Sequence, residues 1–298
     1  MPEGPEVETI RGGLSAGIVG QKIKEVGIIF AGSFVATDTE LKNHVLGREV
    51  LAVERRGKVL IITLGGDYSL LVHLKMTGQM VFVKKDGERY AGGHPSESMR
   101  DDLPDKSTRV RIEFESGDSL FFNDQRKFGW IKLVRTEDIG QEPLLARMGP
   151  EALDPAFTPE YLGMWLRRHA KAPVKAVILD QSVVAGIGNI YADESLNLAK
   201  IHPATPAGSV SAAKTRDLTK AIQEIMRVAN AAGGTSFSHY VNSFGGRGDY
   251  LSQARVFRRT GEPCPSCGTA IIKTRVAGRG THLCPVCQKA PTKVSSRV

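Results

Sequence analysis

The sequence predicts an α+β protein of two domains, in which an antiparallel β-domain precedes a helical domain that ends in a metal-binding element. Three observations lead to this prediction. Short β-type runs occupy residues 22–134, apolar residues recur at helical spacing over residues 159–231, and all four cysteines follow residue 263. A chain of 298 residues, 41% of them apolar, is long enough to bury the cores of two ordinary domains.

The N-terminal domain is predicted to begin with a helix and to continue as a sandwich or a barrel. Val7, Ile10 and Leu14 have helical spacing, but the Gly12-Gly13 pair weakens a helix, so another part of the chain must hold it. Five β-type runs are separated by glycine-containing turns: residues 59–64, 69–74, 80–83, 110–114 and 119–122. The polar stretch 84–107 is predicted to be a mobile loop.

The second half of the chain has helical periodicity. Residues 136–158 are rich in proline and are predicted to link a domain over 1–135 to a helical domain over 159–248. The periodicity predicts four helices, over residues 159–168, 174–179, 190–198 and 212–231. Gly233-Gly234 would end the last helix. A loop over 237–250, a zinc element over 249–290 and a tail over 291–298 complete the predicted organisation.

Positive charge is concentrated at the C-terminal end. The chain has 40 Lys and Arg against 32 Asp and Glu, a net charge of +8. Residues 251–298 contain nine of these basic residues and one acid, Glu262, so the first 250 residues sum to zero. A neutral body with a basic end suggests a polyanion ligand, either nucleic acid or an anionic membrane surface. A solvated basic tail is the alternative interpretation.

The composition also bears on the compartment. No uninterrupted apolar run approaches the roughly 20 residues that a membrane-spanning helix needs. Residues 1–6 are acidic and contain two prolines, a pattern unlike a secretory signal. We therefore expect a cytoplasmic protein with no membrane partner.

The four cysteines form two C-x-x-C pairs in the basic end. The pairs, Cys264/Cys267 and Cys284/Cys287, are separated by sixteen residues. This spacing is typical of a tetrahedral zinc site in which each pair chelates the ion from a tight turn. Two disulfides are the alternative, which a reducing compartment disfavours. The sequence therefore predicts one structural zinc ion.

The first residues offer an unusual nucleophile. Removal of Met1 would make Pro2 a chain terminus with a free secondary amine. An α-amine has a pKa near ~8, well below that of lysine, so more of it is unprotonated at neutral pH. Such an amine can form a Schiff base with a sugar C1′, and Glu3 beside it could transfer protons. On its own the Pro2-Glu3 pair is weak evidence, because proline after methionine is usually only a processing signal.

Three segments together resemble the bacterial formamidopyrimidine-DNA glycosylase family. They are MPEGPEVET at residues 1–9, QSVVAGIGNIYADES at 181–195 and GRGTHLCPVCQ at 278–288, in the order of that family. The resemblance implies a β-sandwich with flanking helices, a helix–two-turn–helix domain and a β-hairpin zinc finger. It also implies a monomeric, bifunctional glycosylase and AP lyase that excises oxidised purines, namely 8-oxoguanine and formamidopyrimidines, from damaged double-stranded DNA.

The resemblance assigns catalytic steps to particular residues. Pro2 would be the nucleophile that forms the Schiff base, and Glu3 would donate a proton. Lys58 would act in β-elimination and bind phosphate, and Arg279 would lie near the phosphates and act in δ-elimination. Asn189 matches an asparagine that contacts a phosphate beside the lesion.

Further DNA contacts are expected around these residues. A helix that starts at Asn189 presents free N–H groups to an anion, although the glycines before it also suit an ordinary tight connection. His73, Lys171 and Lys175 are further predicted DNA contacts. For His73 the alternative is a satisfied histidine within a sheet.

Extrusion of a damaged nucleoside leaves a gap in the duplex that the protein must fill. The resemblance assigns this role to Met76, Arg126 and Phe128, since an apolar wedge and an aromatic ring replace lost stacking and an arginine can bond the orphaned base. Without the resemblance, Met76 would be interpreted as a core methionine. Glu6 and Tyr240 are predicted to line the lesion pocket.

Two positions depart from the family pattern. Lys106-Ser107-Thr108-Arg109 stands where many members have Lys-His-x-His, and Ala170 stands where the residue is often basic. These changes put strand contacts in doubt but leave the catalytic matches intact. Three other functions stay open: an endonuclease VIII-like enzyme for oxidised pyrimidines, a non-catalytic protein that binds lesions, and an RNA-binding zinc-ribbon protein.

Overall fold

The computed structural model describes residues 1–94, 96–235 and 249–291. The chain divides into two compact units. The N-terminal unit comprises residues 1–146 and the described part of 232–249, and the C-terminal unit comprises residues 147–231 and the described part of 250–298. The return of the chain to its first unit has no signal in the local sequence pattern. The domain boundaries given above stay a prediction.

Two five-stranded sheets form the N-terminal unit together with helix α1 (Gly4–Ile18). One sheet consists, in spatial order, of β1 (Ile23–Ile28), β8 (Thr108–Phe114), β9 (Ser119–Asp124), β6 (Gly78–Val83) and β7 (Arg89–Gly93). The other consists of β2 (Phe34–Val35), β10 (Trp130–Arg135), β5 (Tyr68–His73), β4 (Val59–Leu64) and β3 (Val50–Arg56). Helices α2 (Asp38–His44) and α3 (Pro143–Ala146) are short.

The described strands confirm the predicted antiparallel sandwich. Neighbouring strands pair antiparallel, apart from the short parallel pair of β2 with β10. One apolar core contains buried side chains of both sheets and of α1, among them Leu14, Leu60 and Phe122. The alternation of apolar residues in the strands therefore packs the two sheets against a common interior.

Helix α1 is held in place by a tyrosine from the neighbouring strand. The hydroxyl of Tyr90 in β7 donates to the carbonyl oxygens of Thr9 at 2.8 Å and Ile10 at 3.1 Å. A Cβ atom on Gly13 would overlap the Tyr90 ring. Gly13, which weakens the isolated helix, is therefore what lets the tyrosine pack closely against it.

The prediction of a loop over residues 84–107 is wrong for residues 89–93. These residues form β7, which pairs with β6 at the edge of the first sheet. The error has a physical cause, since a polar stretch that contains Gly92-Gly93 is typical of a loop. In the structure a Cβ atom on Gly92 would lie 2.5 Å from Ile10, so the glycine serves close packing of β7 on α1.

The C-terminal unit confirms the four predicted helices. They are α4 (Pro159–Arg168), α5 (Val174–Leu179), α6 (Asn189–Leu198) and α7 (Ala212–Ala231). A hairpin of β11 (Ile272–Val276) and β12 (Arg279–Leu283) follows, joined at Ala277 and Gly278. No helix within the three described ranges is both long enough and apolar enough to cross a membrane.

Helix α6 anchors the chain that leads into the cysteine-rich end. The buried carboxylate of Glu194 accepts the N–H groups of Arg255, Val256 and Phe257 at 2.7–2.9 Å. Burial raises the pKa of Glu194, while these three hydrogen bonds act in the opposite direction. One turn later, Asn197 donates to Gln288 at 2.9 Å. Buried polar groups of one helix thus fix two separate segments of the metal-binding element.

Candidate active site and zinc centre

Pro2 and Glu3 lie buried where α1 begins. Glu3 is only 3% exposed and is the N-cap of the helix. Its side chain accepts the backbone N–H of Glu6, and its own N–H donates to Glu6 Oε2 at 2.9 Å. This reciprocal pair fixes the direction in which the chain terminus leaves the helix.

Burial of the chain terminus favours an unprotonated amine. Burial lowers the pKa of the Met1 α-amine; the carboxylates of Glu3 and Glu6 oppose this, and the ammonium of Lys58 adds to it. Lys58 is 6% exposed and lies in the turn between β3 and β4. The structure therefore brings Glu3, Glu6 and Lys58 close enough to the terminus to influence its charge, and a lowered pKa enlarges its nucleophilic fraction.

His73 lies at the end of β5, close to the same charges. Its Nδ1 accepts the backbone N–H of Lys75 at 3.0 Å. Burial lowers the pKa of His73 to about 3, and the ammonium groups of Lys75 and Lys58 act in the same direction. The imidazole is therefore neutral near pH 7 with its proton on Nε2, which makes that nitrogen a hydrogen-bond donor.

His94 is a neighbour of the chain terminus that the sequence analysis missed. Its N–H donates to the carbonyl of Gly78 at 3.1 Å, directly after β7. The pKa of His94 is lowered by burial and by the chain-terminal amine, and Asp124 acts in the opposite direction. A single histidine in a stretch interpreted as a loop gave no signal, because only the pairing of β7 with β6 brings it to this place.

Met76, Arg126 and Phe128 project from the N-terminal unit. Met76 is 42% exposed and Phe128 is 55% exposed, so the interpretation of Met76 as a core residue does not hold. The Arg126 guanidinium lies over the Phe128 ring, 4.8 Å from its centroid. Exposed apolar side chains beside an arginine have the chemistry that a wedge into stacked bases requires.

Of the two predicted lesion-pocket residues, only Glu6 can be placed, because Tyr240 lies outside the described residues. Glu6 Oε1 accepts the backbone N–H and the hydroxyl of Thr235, each at 2.7 Å. Glu6 therefore joins the start of α1 to the segment after α7, and both of these parts belong to the N-terminal unit.

In the C-terminal unit, Asn189 is the first residue of α6, and Arg279 is the first residue of β12 in the hairpin. Asn189 Nδ2 donates to the carbonyl of Gly280 at 3.0 Å, so the helix start contacts the strand that carries Arg279. The side chain of Arg279 is exposed. Gly188, the N-cap of α6, makes no side-chain cap hydrogen bond, and the start of a helix is a position that favours an anion. Lys171 is exposed in the turn between α4 and α5.

Lys175 requires a correction. It was predicted to contact DNA, but its side chain is fully buried and its Nζ lies 2.6 Å from Asp193 Oδ1. The same nitrogen donates to the hydroxyl of Thr281 at 2.7 Å and to the carbonyl of Gly280 at 3.3 Å. In this arrangement the ammonium has no exposed surface with which to meet a phosphate, and it supports the strand next to Arg279 instead.

The four cysteine sulfurs converge at one point. They lie within 4.8 Å of one another, with Cys264 Sγ 4.0 Å from Cys287 Sγ and Cys267 Sγ 3.5 Å from Cys284 Sγ. These separations match the edges of a tetrahedron with Zn–S bonds of about 2.3 Å. All four cysteines are described and none forms a disulfide, which removes that alternative.

Comparisons with known proteins agree along the chain. A family model described as "Formamidopyrimidine-DNA glycosylase N-terminal domain" matches residues 1–131, and the family's "H2TH domain" model matches residues 148–241. The formamidopyrimidine-DNA glycosylase of Desulfitobacterium hafniense is 41% identical over 289 residues, which cover 97% of this chain and 100% of the relative. This chain belongs to the formamidopyrimidine-DNA glycosylase family.

Other members of the formamidopyrimidine-DNA glycosylase family match over similar lengths. The enzyme of Ligilactobacillus salivarius is 37% identical over 97% of this chain and 99% of its own. A solved structure of wild-type Lactococcus lactis Fpg with DNA that contains N7-benzyl-Fapy-dG has a TM-score of 0.85 and 35% identity. That match covers 97% of this chain and 100% of the solved chain.

The glycosylase family also accounts for the cysteines. A model described as "Zinc finger found in FPG and IleRS" matches residues 261–290, which include all four. Family and sulfur geometry together assign one structural zinc ion to Cys264, Cys267, Cys284 and Cys287.

Both departures from the glycosylase family pattern can be placed. Ser107 is buried and bonds Ser98 and Asp105. Arg109 is 8% exposed, and its Nε donates to the backbone carbonyl of Asp124 at 2.8 Å. Ala170 packs against Gly208, where a Cβ atom would approach within 2.6 Å of the alanine methyl. These residues thus have structural partners within the protein.

Proposed function

We propose that this chain is a bifunctional DNA glycosylase and AP lyase that excises oxidised purines, 8-oxoguanine and formamidopyrimidines, from duplex DNA. The observation that carries the proposal is the buried Pro2-Glu3 start of α1, with Lys58 acting on the charge of the chain terminus. Solved Lactococcus lactis relatives that hold Fapy-dG DNA and abasic-site DNA support it. We place its activity in the bacterial cytoplasm, where the chromosome lies, and expect it to act as a monomer.

Once Met1 has been removed, the secondary amine of Pro2 is the nucleophile. Its nitrogen forms a bond to C1′ while the bond to the damaged base breaks, and the base leaves with the electron pair and gains a proton. The nitrogen then loses its proton and the sugar ring oxygen gains one through Glu3, which opens the ring and leaves an iminium. The buried position of Glu3 suits this proton transfer.

The iminium makes the sugar prone to elimination. Loss of a proton from C2′ expels the 3′ phosphate, and loss of a proton from C4′ then expels the 5′ phosphate. Water hydrolyses the remaining iminium, which releases the sugar remnant, returns the Pro2 amine and leaves a gap of one nucleotide. In this proposal Lys58 assists the first elimination and binds a phosphate. Arg279 binds phosphate for the second elimination, and its exposure on β12 leaves the guanidinium available.

The DNA contacts follow from exposure and charge. Met76 and Phe128 replace lost stacking, and Arg126 bonds the unpaired base. The neutral His73 donates from Nε2, and Lys171 and Asn189 meet phosphates. Lys175 supports Gly280 and Thr281 and thereby positions Arg279. Glu6 and Tyr240 line the lesion pocket. In this scheme DNA-binding residues come from the domain over 1–135, from the helical domain over 159–248 and from the zinc finger over 249–290.

A covalent trapping experiment tests the mechanism. Borohydride should reduce the Schiff base on a duplex with 8-oxoguanine opposite cytosine, and peptide mapping should place the adduct on Pro2. We expect Glu3→Gln to lose excision of the intact lesion yet to retain trapping on a preformed abasic site. An adduct that maps to a lysine, or Pro2→Gly incising normally without an adduct, would contradict the mechanism.

The alternatives make different predictions for the same assay. An endonuclease VIII-like enzyme would prefer a duplex with thymine glycol, and a non-catalytic lesion-binding protein would bind 8-oxoguanine DNA without incising it. An RNA-binding protein would bind RNA and plain DNA as well as lesion DNA at each salt concentration. Preferential incision of the 8-oxoguanine duplex distinguishes the proposal from all three.

A further inference from the structure

One buried carboxylate holds both segments that carry the exposed wedge residues. We call these segments the wedge segments and define them as residues 74–78, which contain Met76, and residues 124–129, which contain Arg126 and Phe128. Asp124 is 1% exposed and ends strand β9. Its Oδ2 accepts the N–H groups of Phe128 at 2.8 Å and Gly129 at 2.7 Å.

The other carboxylate oxygen reaches across to the first wedge segment. Asp124 Oδ1 accepts the Thr77 hydroxyl and the N–H of Arg126, the latter at 3.1 Å. The Arg126 N–H also lies 3.1 Å from Thr77 Oγ1, so the two segments share one hydrogen-bond network. Hydrogen bonds to a carboxylate are charge-assisted and stronger than those between neutral groups.

Both segments have backbone conformations that need such support. Lys75 has φ of 50° and Lys127 has φ of 60°, the left-handed region that residues other than glycine seldom adopt. These residues directly precede Met76 and Phe128. Because the conformations are costly, the exposed side chains keep their directions only while the surrounding bonds hold the backbone.

Arg109 secures the backbone of Asp124. Its Nε donates to the Asp124 carbonyl at 2.8 Å, and the Asp124 N–H donates to the carbonyl of Ser107. Asp124 is therefore fixed by its backbone, and its carboxylate has little freedom to follow a displaced wedge segment.

We propose that Asp124 and Thr77 are positioning residues for extrusion of the damaged nucleoside, because together they hold Met76, Arg126 and Phe128 in one arrangement. This inference rests on the proposed function, which assigns those three side chains to the gap in the duplex. Bond cleavage at an already exposed abasic site does not require the wedge. The link should therefore matter for duplex lesions and be dispensable for an abasic site in a single strand.

Thr77→Val is the informative variant. Asp124→Asn would turn an amide N–H₂ toward backbone donors and could unfold the sheet edge, whereas Thr77→Val removes only the hydroxyl of a half-buried side chain. Thr77→Ser keeps the hydroxyl. Thr136→Val is a matched control, since it removes a similar side-chain bond, to Ser69 at 2.9 Å, elsewhere in the N-terminal unit.

The experiment uses the full-length, zinc-loaded protein and two substrates. One is a duplex with 8-oxoguanine opposite cytosine and 2-aminopurine beside the lesion to report unstacking; the other is a single strand with an abasic site, for borohydride trapping. For Thr77→Val we expect incision and unstacking of the duplex to slow about tenfold, as loss of a bond to a buried carboxylate implies, with trapping unchanged. Thr77→Ser and Thr136→Val should match the wild type on both substrates.

Other outcomes overturn the inference. Equal losses on both substrates would show that the Thr77 hydroxyl supports the chain-terminal amine rather than the wedge segments. No loss on the duplex would show that the hydrogen bond between Thr77 and Asp124 is dispensable. A Thr77→Ser variant as slow as Thr77→Val would exclude the hydroxyl as the cause. If the wild type failed to incise the duplex at all, the proposed function itself would fail, which is a distinguishable result.

Discussion

Glu6 accepts two hydrogen bonds from Thr235, a residue 229 positions further along the chain. Both bonds reach Oε1, while Oε2 accepts the N–H of Glu3. One side chain thus caps the helix that begins beside Pro2 and fastens to it the segment that follows α7. The chain terminus is held in place by a contact that no local sequence pattern contains.

We expect the loss of Glu6 to destabilise the protein measurably. Glu6→Ala leaves the N–H groups of Glu3 and Thr235 without their acceptor, which should lower the free energy of unfolding by about 2–4 kcal/mol. Thr9→Val is the matched control, because it removes only a helical back-bond to Pro5 at 3.1 Å. Urea unfolding measures both, and a Glu6→Ala effect no larger than that of Thr9→Val would contradict the assignment.

His73 should make stability depend on pH. Its pKa is about 3 in the folded protein against an ordinary 6.5, so between these values the unfolded chain binds a proton that the native state does not. The free energy of unfolding should therefore fall as the pH is lowered from about 6.5 toward 3, by on the order of a few kcal/mol from this group. In His73→Asn this contribution should vanish, and a wild-type minus variant difference independent of pH would refute it.

Lys175 and Lys171 should respond differently to salt. Lys171→Ala removes an exposed charge. It should reduce the slope of log affinity against log salt by about one, the change expected for the loss of one phosphate contact. Lys175→Met should leave that slope unchanged and instead lower the free energy of unfolding by about 3–5 kcal/mol, because Asp193 stays buried without its partner. Binding titrations at several salt concentrations and urea unfolding provide the two readouts. A reduced salt slope for Lys175→Met would show that Lys175 contacts a phosphate after all.

Removal of zinc should disorder the cysteine-rich end. Among the described residues, a small apolar cluster that includes Val256 and Ile271 packs around Cys264 and Cys284, so we expect the metal to add much of the local stabilisation. After chelation we expect rapid proteolysis of residues 255–290 and weaker binding to duplex DNA, both reversed by added zinc. Metal analysis should find one zinc ion per chain. Undiminished DNA affinity in verified metal-free protein would argue against this role.

The fold could be predicted where the spacing of residues within one segment already indicates which of them are buried or bind metal. The four helices of the C-terminal unit and five of the ten described strands of the sandwich follow from apolar spacing, and the cysteine pairs predict the metal site. The loop prediction over 84–107 failed at Gly92-Gly93, because a glycine pair signals a turn unless a helix lies close against it. The contacts that pack this segment against α1 involve Tyr90 and Ile10, which are about eighty positions apart in the sequence.

The candidate site was predictable to a similar degree. The chemistry of an N-terminal amine singles out Pro2 and Glu3, but only the family resemblance indicates Lys58, since a buried terminus leaves no periodic signal. The sequence could not show that Lys175 is paired with Asp193, nor that Asp124 joins two loops. Both depend on buried hydrogen bonds between residues far apart in the chain, and a charged residue in a sequence does not reveal whether its charge is exposed.

The discontinuity of the N-terminal unit also constrains the order of events during synthesis. A ribosome adds about 5–20 residues per second, so Glu6 has to wait at least roughly ten seconds for Thr235 to emerge. Throughout that interval helix α1 of the nascent chain lacks the hydrogen bonds between Glu6 and Thr235. The Met1 excision that the proposed mechanism requires would thus have a period in which the terminus is still accessible to a peptidase.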